Sequence, residues 1–479
     1  MQKPVPCYSL TKRLSTTKYG DDRKTFGVVN LEVDRCDSHV PKAQHFILTV
    51  DRSGSMAARE KDGMTKMQHV IHTISNMLRY FAYDIDSTEV FISVIIFDNK
   101  VECIIDKISI NKENVKQLVE KVEEIYPRDM TDMGAAIKAA NEQKNSFSQD
   151  AKHTHILLTD GKPTSGITDK DKLGAILDQS YKNILIGYGV DHNMELMMEL
   201  GGNDARNYYF VESAENAGNV YGEIIYDVLN EAMTEVAMES DDLEFYNWKT
   251  DEWVRRLELG SLSYGTEKLY HIRAIPDQHD IENVLCITVS YMFGLTERKD
   301  VVPVATKEFG TPFDVTKYIY RQKTLELLFM AADYKANPIT VTDNISELME
   351  SISKEIETAP ELEDETSKNF IFMQNLRDDL YVAKKSLGSR YGQLYLGARM
   401  ISQGDQRAYN VKNLEAMCPT FVDFDMASQD IDGPLPPLGA IDRTCPAGNY
   451  RMSSQEASPY ASTEQRYLMR QCSQDPSPL

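Results

Sequence analysis

Asp51, Ser53 and Ser55 place three oxygen-bearing side chains at alternate positions in Phe46-Ile-Leu-Thr-Val-Asp-Arg-Ser-Gly-Ser-Met56. One carboxylate and two hydroxyls are hard donors, suited to Mg²⁺ or Mn²⁺ and not to zinc or copper. Two later residues are candidates for completing such a site: Thr131, in Asp129-Met-Thr-Asp-Met-Gly134, and Asp160, in Leu157-Leu-Thr-Asp-Gly161. Plainer roles stand beside this one. Asp51 could cap a turn with the serines bonding backbone, Thr131 could be a helix N-cap, and Asp160-Gly161 could be a turn.

The flanking pattern decides how these residues are positioned. Phe46–Val50 is a short apolar, β-branched run that reads as a buried strand, and Thr154–Leu158 is a second. Between and after them, strand and helix signals alternate. Met67, Val70, Ile71, Ile74, Leu78 and Phe81 form one helical face, and strands follow at Val90–Phe97 and Val101–Ile105. Val115, Leu118, Val119, Val122 and Ile125 mark a second helix; a third, opening at Thr131, carries Ala135, Ile137 and Ala140. Further strands are expected at Ile184–Tyr188 and Tyr208–Val211, with a closing helix from Glu215 to Met238. The alternation predicts an α/β, doubly wound, mostly parallel sheet of the Rossmann-like kind. Right-handed crossovers bring the ends of the Val50 and Leu158 strands together, and such sheets hold ligands at the carboxyl ends of their strands.

Asp-x-Ser-x-Ser, a later Thr and a later Thr-Asp-Gly, in that order on strand ends, resemble the metal-ion-dependent adhesion site of von Willebrand factor A (VWA) domains. The resemblance covers roughly residues 44–238. It implies that Asp51, Ser53 and Ser55 contact a cation directly or through water, that Thr131 adds a ligand in an open state, and that Asp160 acts directly or through water. A free position would take water or a carboxylate from a protein partner. The chain departs from many relatives at Arg128-Asp129-Met130, where they have glycines, and this makes Thr131 the least secure ligand. Asp132 beside it is expected to cap the helix.

On either side of this unit the pattern changes. Residues 1–43 read as an irregular arm followed by an alternating strand, Phe26–Val33; residues 239–312 read as short strands. Both flanks are predicted to combine into one β-sandwich, by analogy with integrins, where a β domain is likewise interrupted by a VWA domain. Residues 313–403 read as three or four helices, and 404–479 as a largely extended or disordered tail, with Asp432-Gly-Pro-Leu-Pro-Pro-Leu-Gly439 at its centre and, from Ser458 to Ser473, a last segment whose few apolar residues could dock on the body. This order also resembles intracellular VWA proteins with a helical C-terminal region, among them plant RING-type ubiquitin ligases. That likeness is carried by Ile186-Gly-Tyr-Gly-Val-Asp-His192, Asn207-Tyr-Tyr-Phe-Val211 and Ser458-Pro-Tyr-Ala-Ser-Thr-Glu-Gln-Arg466. The chain has no Cys-x-x-Cys for a RING zinc.

The formal net charge of −22 argues against nucleic-acid binding and against docking on anionic membranes. No apolar run is long enough to span a bilayer, and the N-terminus lacks the apolar core of a signal peptide. Seven scattered cysteines then read as reduced thiols in an intracellular, cytoplasmic protein. His69 and His72 lack partner ligands for zinc, and Met194, Met197 and Met198 read as core. No phosphate loop, His-Glu-x-x-His or Gly-x-Ser-x-Gly occurs, so no catalytic residue is assigned. The expected function is a non-enzymatic binding module whose cation captures an acidic side chain of a protein partner. The alternatives are an assembly protein with an incidental ion, or a substrate adaptor for ubiquitin transfer.

Overall fold

The strand that ends in Asp51 lies at the middle of a six-stranded sheet. The computed structural model describes residues 6–20, 24–35, 42–60, 62–85, 88–128, 130–189, 191–202, 205–211, 217–274, 286–306, 313–332, 339–359, 368–387, 392–409 and 458–473. The chain opens with β1 (Tyr8–Tyr19), β2 (Lys24–Val33) and β3 (Gln44–Asp51). There follow α1 (Lys66–Tyr83), β4 (Val90–Phe97), β5 (Val101–Ser109), α2 (Val115–Glu123), α3 (Met133–Asn145) and β6 (Lys152–Thr159). The α/β unit continues with α4 (Lys170–Ile176), β7 (Lys182–Tyr188), α5 (Met194–Leu200), β8 (Tyr208–Val211) and α6 (Ala217–Leu229).

The strand order is β5-β4-β3-β6-β7-β8, parallel throughout except for the β4–β5 pair. The chain builds outward from β3 through β4, then returns to lay β6 on the other side of β3. The order therefore reverses between β3 and β6, the place where open α/β sheets form a ligand crevice. Every residue of β3 is buried, because helices cover both faces. Phe46, Leu48 and Val50 pack with Val70 and Ile74 of α1, while Ile47 meets Ala140 of α3 on the other face. The period-2 alternation of a strand produces this division.

The remaining strands are β9 (Glu231–Glu239), β10 (Leu243–Asn247), β11 (Glu252–Val254), β12 (Arg256–Ser263), β13 (Glu267–Ala274), β14 (Cys286–Phe293), β15 (Thr296–Pro303) and β16 (Ala305–Thr306). They form two sheets, β11-β10-β13-β2-β1-β16 and β12-β9-β14-β15. One shared core, including Val29, Leu31, Val236, Met238, Phe245, Ile287 and Val289, lies between them. The expected union of the two flanks is present: β2 pairs antiparallel with β1 on one side and β13 on the other.

Two expectations are corrected. The expected arm over residues 1–24 contains β1, whose alternating Leu10 and Lys12 are buried. The helix expected over Glu215–Met238 ends at Leu229, and Glu231–Glu239 is a strand of the second sheet. Its Met233, Val236 and Met238 feed the sandwich core, so burial between sheets overrides the helical reading of an Ala/Met-rich run. The last segment of the tail docks on the body through its few apolar residues. After α7 (Phe313–Ala332), α8 (Ile339–Glu357), α9 (Lys368–Ser386) and α10 (Gly392–Gly404), residues 458–473 return to the body and end in α11 (Thr463–Ser473). The Pro-rich stretch at 432–439 and the acidic Glu361–Glu365 run lie outside the described residues.

Leu468, Met469 and Cys472 of α11 join the core of the α/β unit. The crossing with α6 is close because two glycines face it. A Cβ on Gly218 would lie 2.6 Å from the Cys472 carbonyl oxygen, and one on Gly222 would lie 2.6 Å from Met469 Cα. Ahead of the helix, Arg321 donates to the Tyr460 hydroxyl at 3.0 Å, and the hydroxyl donates to Gln403 at 2.7 Å. The buried carboxylate of Glu223 on α6 accepts from the Tyr409 amide at 2.8 Å. Burial, with Asp227 nearby, pushes its pKa up from 4.5 to about 7.

Gly222→Ala is expected to cost about 1–3 kcal/mol of stability, since backbone atoms cannot yield as a side-chain tip can; urea denaturation measures it. Glu223 has a folded-state pKa above its unfolded value, so its contribution is favourable below about pH 4.5 and is lost as pH rises through about 7. Glu223→Gln keeps an acceptor for Tyr409 but cannot ionise. Its melting temperature should exceed that of wild type at about pH 8, with the gain fading near pH 5.

Candidate functional site

β3 delivers Asp51 to the crest of the sheet, and the chain then tightens into a short 3-10 turn, Gly54–Ala57. The Ser53 amide donates to Asp51 Oδ1 at 2.8 Å, an Asx-type closure that folds the loop back over the strand end. The hydroxyls of Ser53 and Ser55 stand 3.0 Å apart. Ser55 Oγ donates to Asp160 Oδ1 at 2.6 Å, across the β3–β6 boundary. Asp51, Ser53, Ser55 and Asp160 thus converge on one point.

Thr131 reaches this crest through its backbone. Its amide donates to Thr164 Oγ1 at 3.0 Å, and its carbonyl accepts from the amides of Thr164 and Ser165 at 3.0 and 3.1 Å. The side chain is buried. The helix cap is Asp132, whose carboxylate accepts from the Ala135 amide at 3.0 Å, so Thr131 is left out of capping.

Several residues outside the expected ligand set shape the site. Thr159 Oγ1 donates to Asp51 Oδ2 at 2.6 Å. Lys66, at the first position of α1, donates to Asp160 Oδ2 at 2.9 Å. Arg52 turns away from the crest, and its Nε meets Asp98 Oδ2 at 2.9 Å with both side chains buried. Asp98 in turn accepts the Asp132 amide on its carbonyl at 2.7 Å, and the Arg52 carbonyl accepts the Arg128 amide at 2.5 Å. This ion pair therefore joins the strand-end loop to the loop bearing Thr131. His69 meets Asp62 at 3.0 Å, and His72 lies 3.0 Å from Asn76.

Electrostatics set what the crest can hold. Asp51 and Asp160 are fully buried at the strand ends. Burial is the main influence on Asp51 and raises its pKa from 3.8 to about 6; hydrogen bonds from Thr159 and Ser53 oppose this, and Asp160 adds to it. Ser55 is exposed, so the crest opens to solvent. Among the described residues no group of three or more His, Cys, Asp or Glu side chains gathers for a metal. The donors at the crest are two carboxylates and several hydroxyls, a set that fits a hard cation and leaves soft metals unserved.

Residues 46–223 match the von Willebrand factor type A domain. This segment is a VWA domain. The match spans β3 to α6 and includes every strand of the mostly parallel sheet. No curated protein matches the sequence. Similar solved structures include a von Willebrand factor type A protein from Catenulispora acidiphila, 13% identical, covering 75% of this chain and 90% of that one with a TM-score of 0.49. Another is the ArnB paralog VWA2 from Sulfolobus acidocaldarius, 15% identical, with 84% and 100% covered and a TM-score of 0.43. A third is proximal thread matrix protein 1 from the mussel byssus with a zinc-occupied MIDAS motif, 18% identical, with 41% and 50% covered and a TM-score of 0.33.

The stretches that carry the wider resemblance meet around β8. The Arg407 guanidinium lies 3.9 Å over the Tyr209 ring, the Arg407 carbonyl accepts from the Ser458 hydroxyl, and Tyr208 bonds His192 at 2.6 Å. This junction joins β8 to the returning tail.

Arg52→Met should destabilise the fold by about 3 kcal/mol or more, because it leaves the Asp98 carboxylate buried without its partner. Chemical denaturation of the variant measures this. A loss under about 1 kcal/mol would mean that Asp98 finds another donor.

Proposed function

We propose that the protein is a non-enzymatic binding module in which the VWA crest holds Mg²⁺ or Mn²⁺, and that the cation captures an acidic side chain of a protein partner. The single observation carrying this reading is the convergence of Asp51, Ser53, Ser55 and Asp160 at the β3–β6 switch point, linked by bonds of 2.6 to 3.0 Å. Asp51, Ser53, Ser55 and Asp160 would hold the ion, with Thr131 beside them on its tethered loop. When bound, the ion supplies positive charge to a carboxylate from outside. Mg²⁺ prefers six oxygens and gives up water reluctantly, so a site with only two carboxylates keeps charge available for an incoming acid.

The rim suits such a partner. Tyr126 and Met130 are exposed although large and apolar. Arg128 donates to the Tyr126 hydroxyl at 2.6 Å, and its guanidinium lies 5.0 Å over that ring. An aromatic and arginine pair of this kind is favoured in protein interfaces, and its cation answers an acidic ligand. A reducing, intracellular location agrees with the free thiols of Cys7, Cys103, Cys286 and Cys472. No helix of the described residues is long and apolar enough to cross a membrane.

In wild type, millimolar Mg²⁺ should raise the melting temperature relative to EDTA. In Asp51→Ala the melting temperature should be the same in both, and the far-UV circular dichroism should be unchanged. An equal Mg²⁺ response in the two proteins would remove the crest as the cation site.

A further inference from the structure

The most informative feature of the crest is a cation that the chain supplies itself. Lys66 Nζ lies 2.9 Å from Asp160 Oδ2; the lysine side chain is 12% exposed and the carboxylate 0%. The ammonium is held there by local structure. Thr65 caps α1 in a reciprocal capping box with Gln68, and the Lys66 amide donates to the Ala58 carbonyl at 3.0 Å. Side chains at a helix start lean toward the N-terminal end, which here is the crest. On its far side Gly189, at a φ of +68°, leaves room: a Cβ there would lie 3.2 Å from Nζ.

With Lys66 in place, every oxygen of the two carboxylates has a donor. Asp160 accepts from Ser55 and Lys66, and Asp51 accepts from Ser53 and Thr159. The formal charge around the crest is then one negative rather than two. An incoming divalent cation meets a weaker field and competes with the ammonium for Asp160.

We infer that Lys66 is a built-in counter-cation that neutralises Asp160 and holds the affinity of the crest for divalent cations low. The inference rests on the cation reading above and goes beyond it, because it assigns the regulation of that site to a residue outside the ligand set. A low-affinity crest fills and empties with the ambient cation concentration, so partner capture becomes graded by that concentration.

The test is a Mn²⁺ titration of the full chain followed by electron paramagnetic resonance, with wild type, Lys66→Met, Lys66→Gln, Lys66→Arg and Asp51→Ala. Lys66→Met and Lys66→Gln should bind Mn²⁺ tighter by about ten-fold or more, since a unit charge close to a divalent ion is removed. Lys66→Arg keeps the charge and should stay near wild type. Glutamine retains a donor for Asp160, so tighter binding by this variant assigns the effect to charge and not to packing, and it serves if Lys66→Met fails to fold. Wild-type binding that Asp51→Ala abolishes, together with unchanged affinity in Lys66→Met and Lys66→Gln, would overturn the counter-cation role and leave the site standing. Absence of Mn²⁺ binding in every variant would overturn both.

Discussion

Two carboxylates buried at the ends of adjacent parallel strands repel each other and lose their hydration, and much of the local structure answers that constraint. Asp51 and Asp160 are brought together by topology, since β3 and β6 are neighbours and the strand order reverses between them. Each is then supplied with donors: the Ser53 amide and Thr159 for Asp51, Ser55 and Lys66 for Asp160. Burial, opposed by these donors, pushes the Asp51 pKa up to about 6. A site in that condition gains from positive charge, whether from a lysine or from a metal ion.

The rest of the molecule holds the crest in register. Apolar packing on both faces of β3 fixes the strand ends. The Arg52–Asp98 pair then ties the strand-end loop to the Thr131 loop, and Thr164 ties that loop to the segment after Asp160. On the opposite flank α6 passes directly into β9 of the sandwich and is clasped by α11 from the tail. The VWA domain is thereby joined to the sandwich at one end and to the returning tail along one helix.

Much of this was legible in the sequence because it depends on periodicity and on strand-end chemistry. The β3, β4 and β6 runs are short, apolar and β-branched, and the oxygen donors follow two of them directly. The union of both flanks in one sandwich could be read from the alternation of Phe26–Val33 before the insertion. What escaped was set by tertiary context. Glu231–Glu239 has helical composition but is needed between two sheets, and β1 looked too polar for a strand because one face lies outside the core. The close crossing of α11 depends on Gly218 and Gly222, whose value appears only when another backbone crosses them. Lys66 is unremarkable as a helix start until the fold places Asp160 above it.

The central claim is that the crest binds a divalent cation through the Ser53 and Ser55 hydroxyls, between the two buried carboxylates. Anomalous diffraction from crystals soaked in millimolar Mn²⁺ tests it most directly. The account predicts a single peak at the β3–β6 boundary, among Asp51, Ser53, Ser55 and Asp160, with the Lys66 ammonium moved off Asp160. Crystals that take up Mn²⁺ elsewhere or not at all, with Lys66 still seated on Asp160, would contradict it and make the crest a structural ion pair.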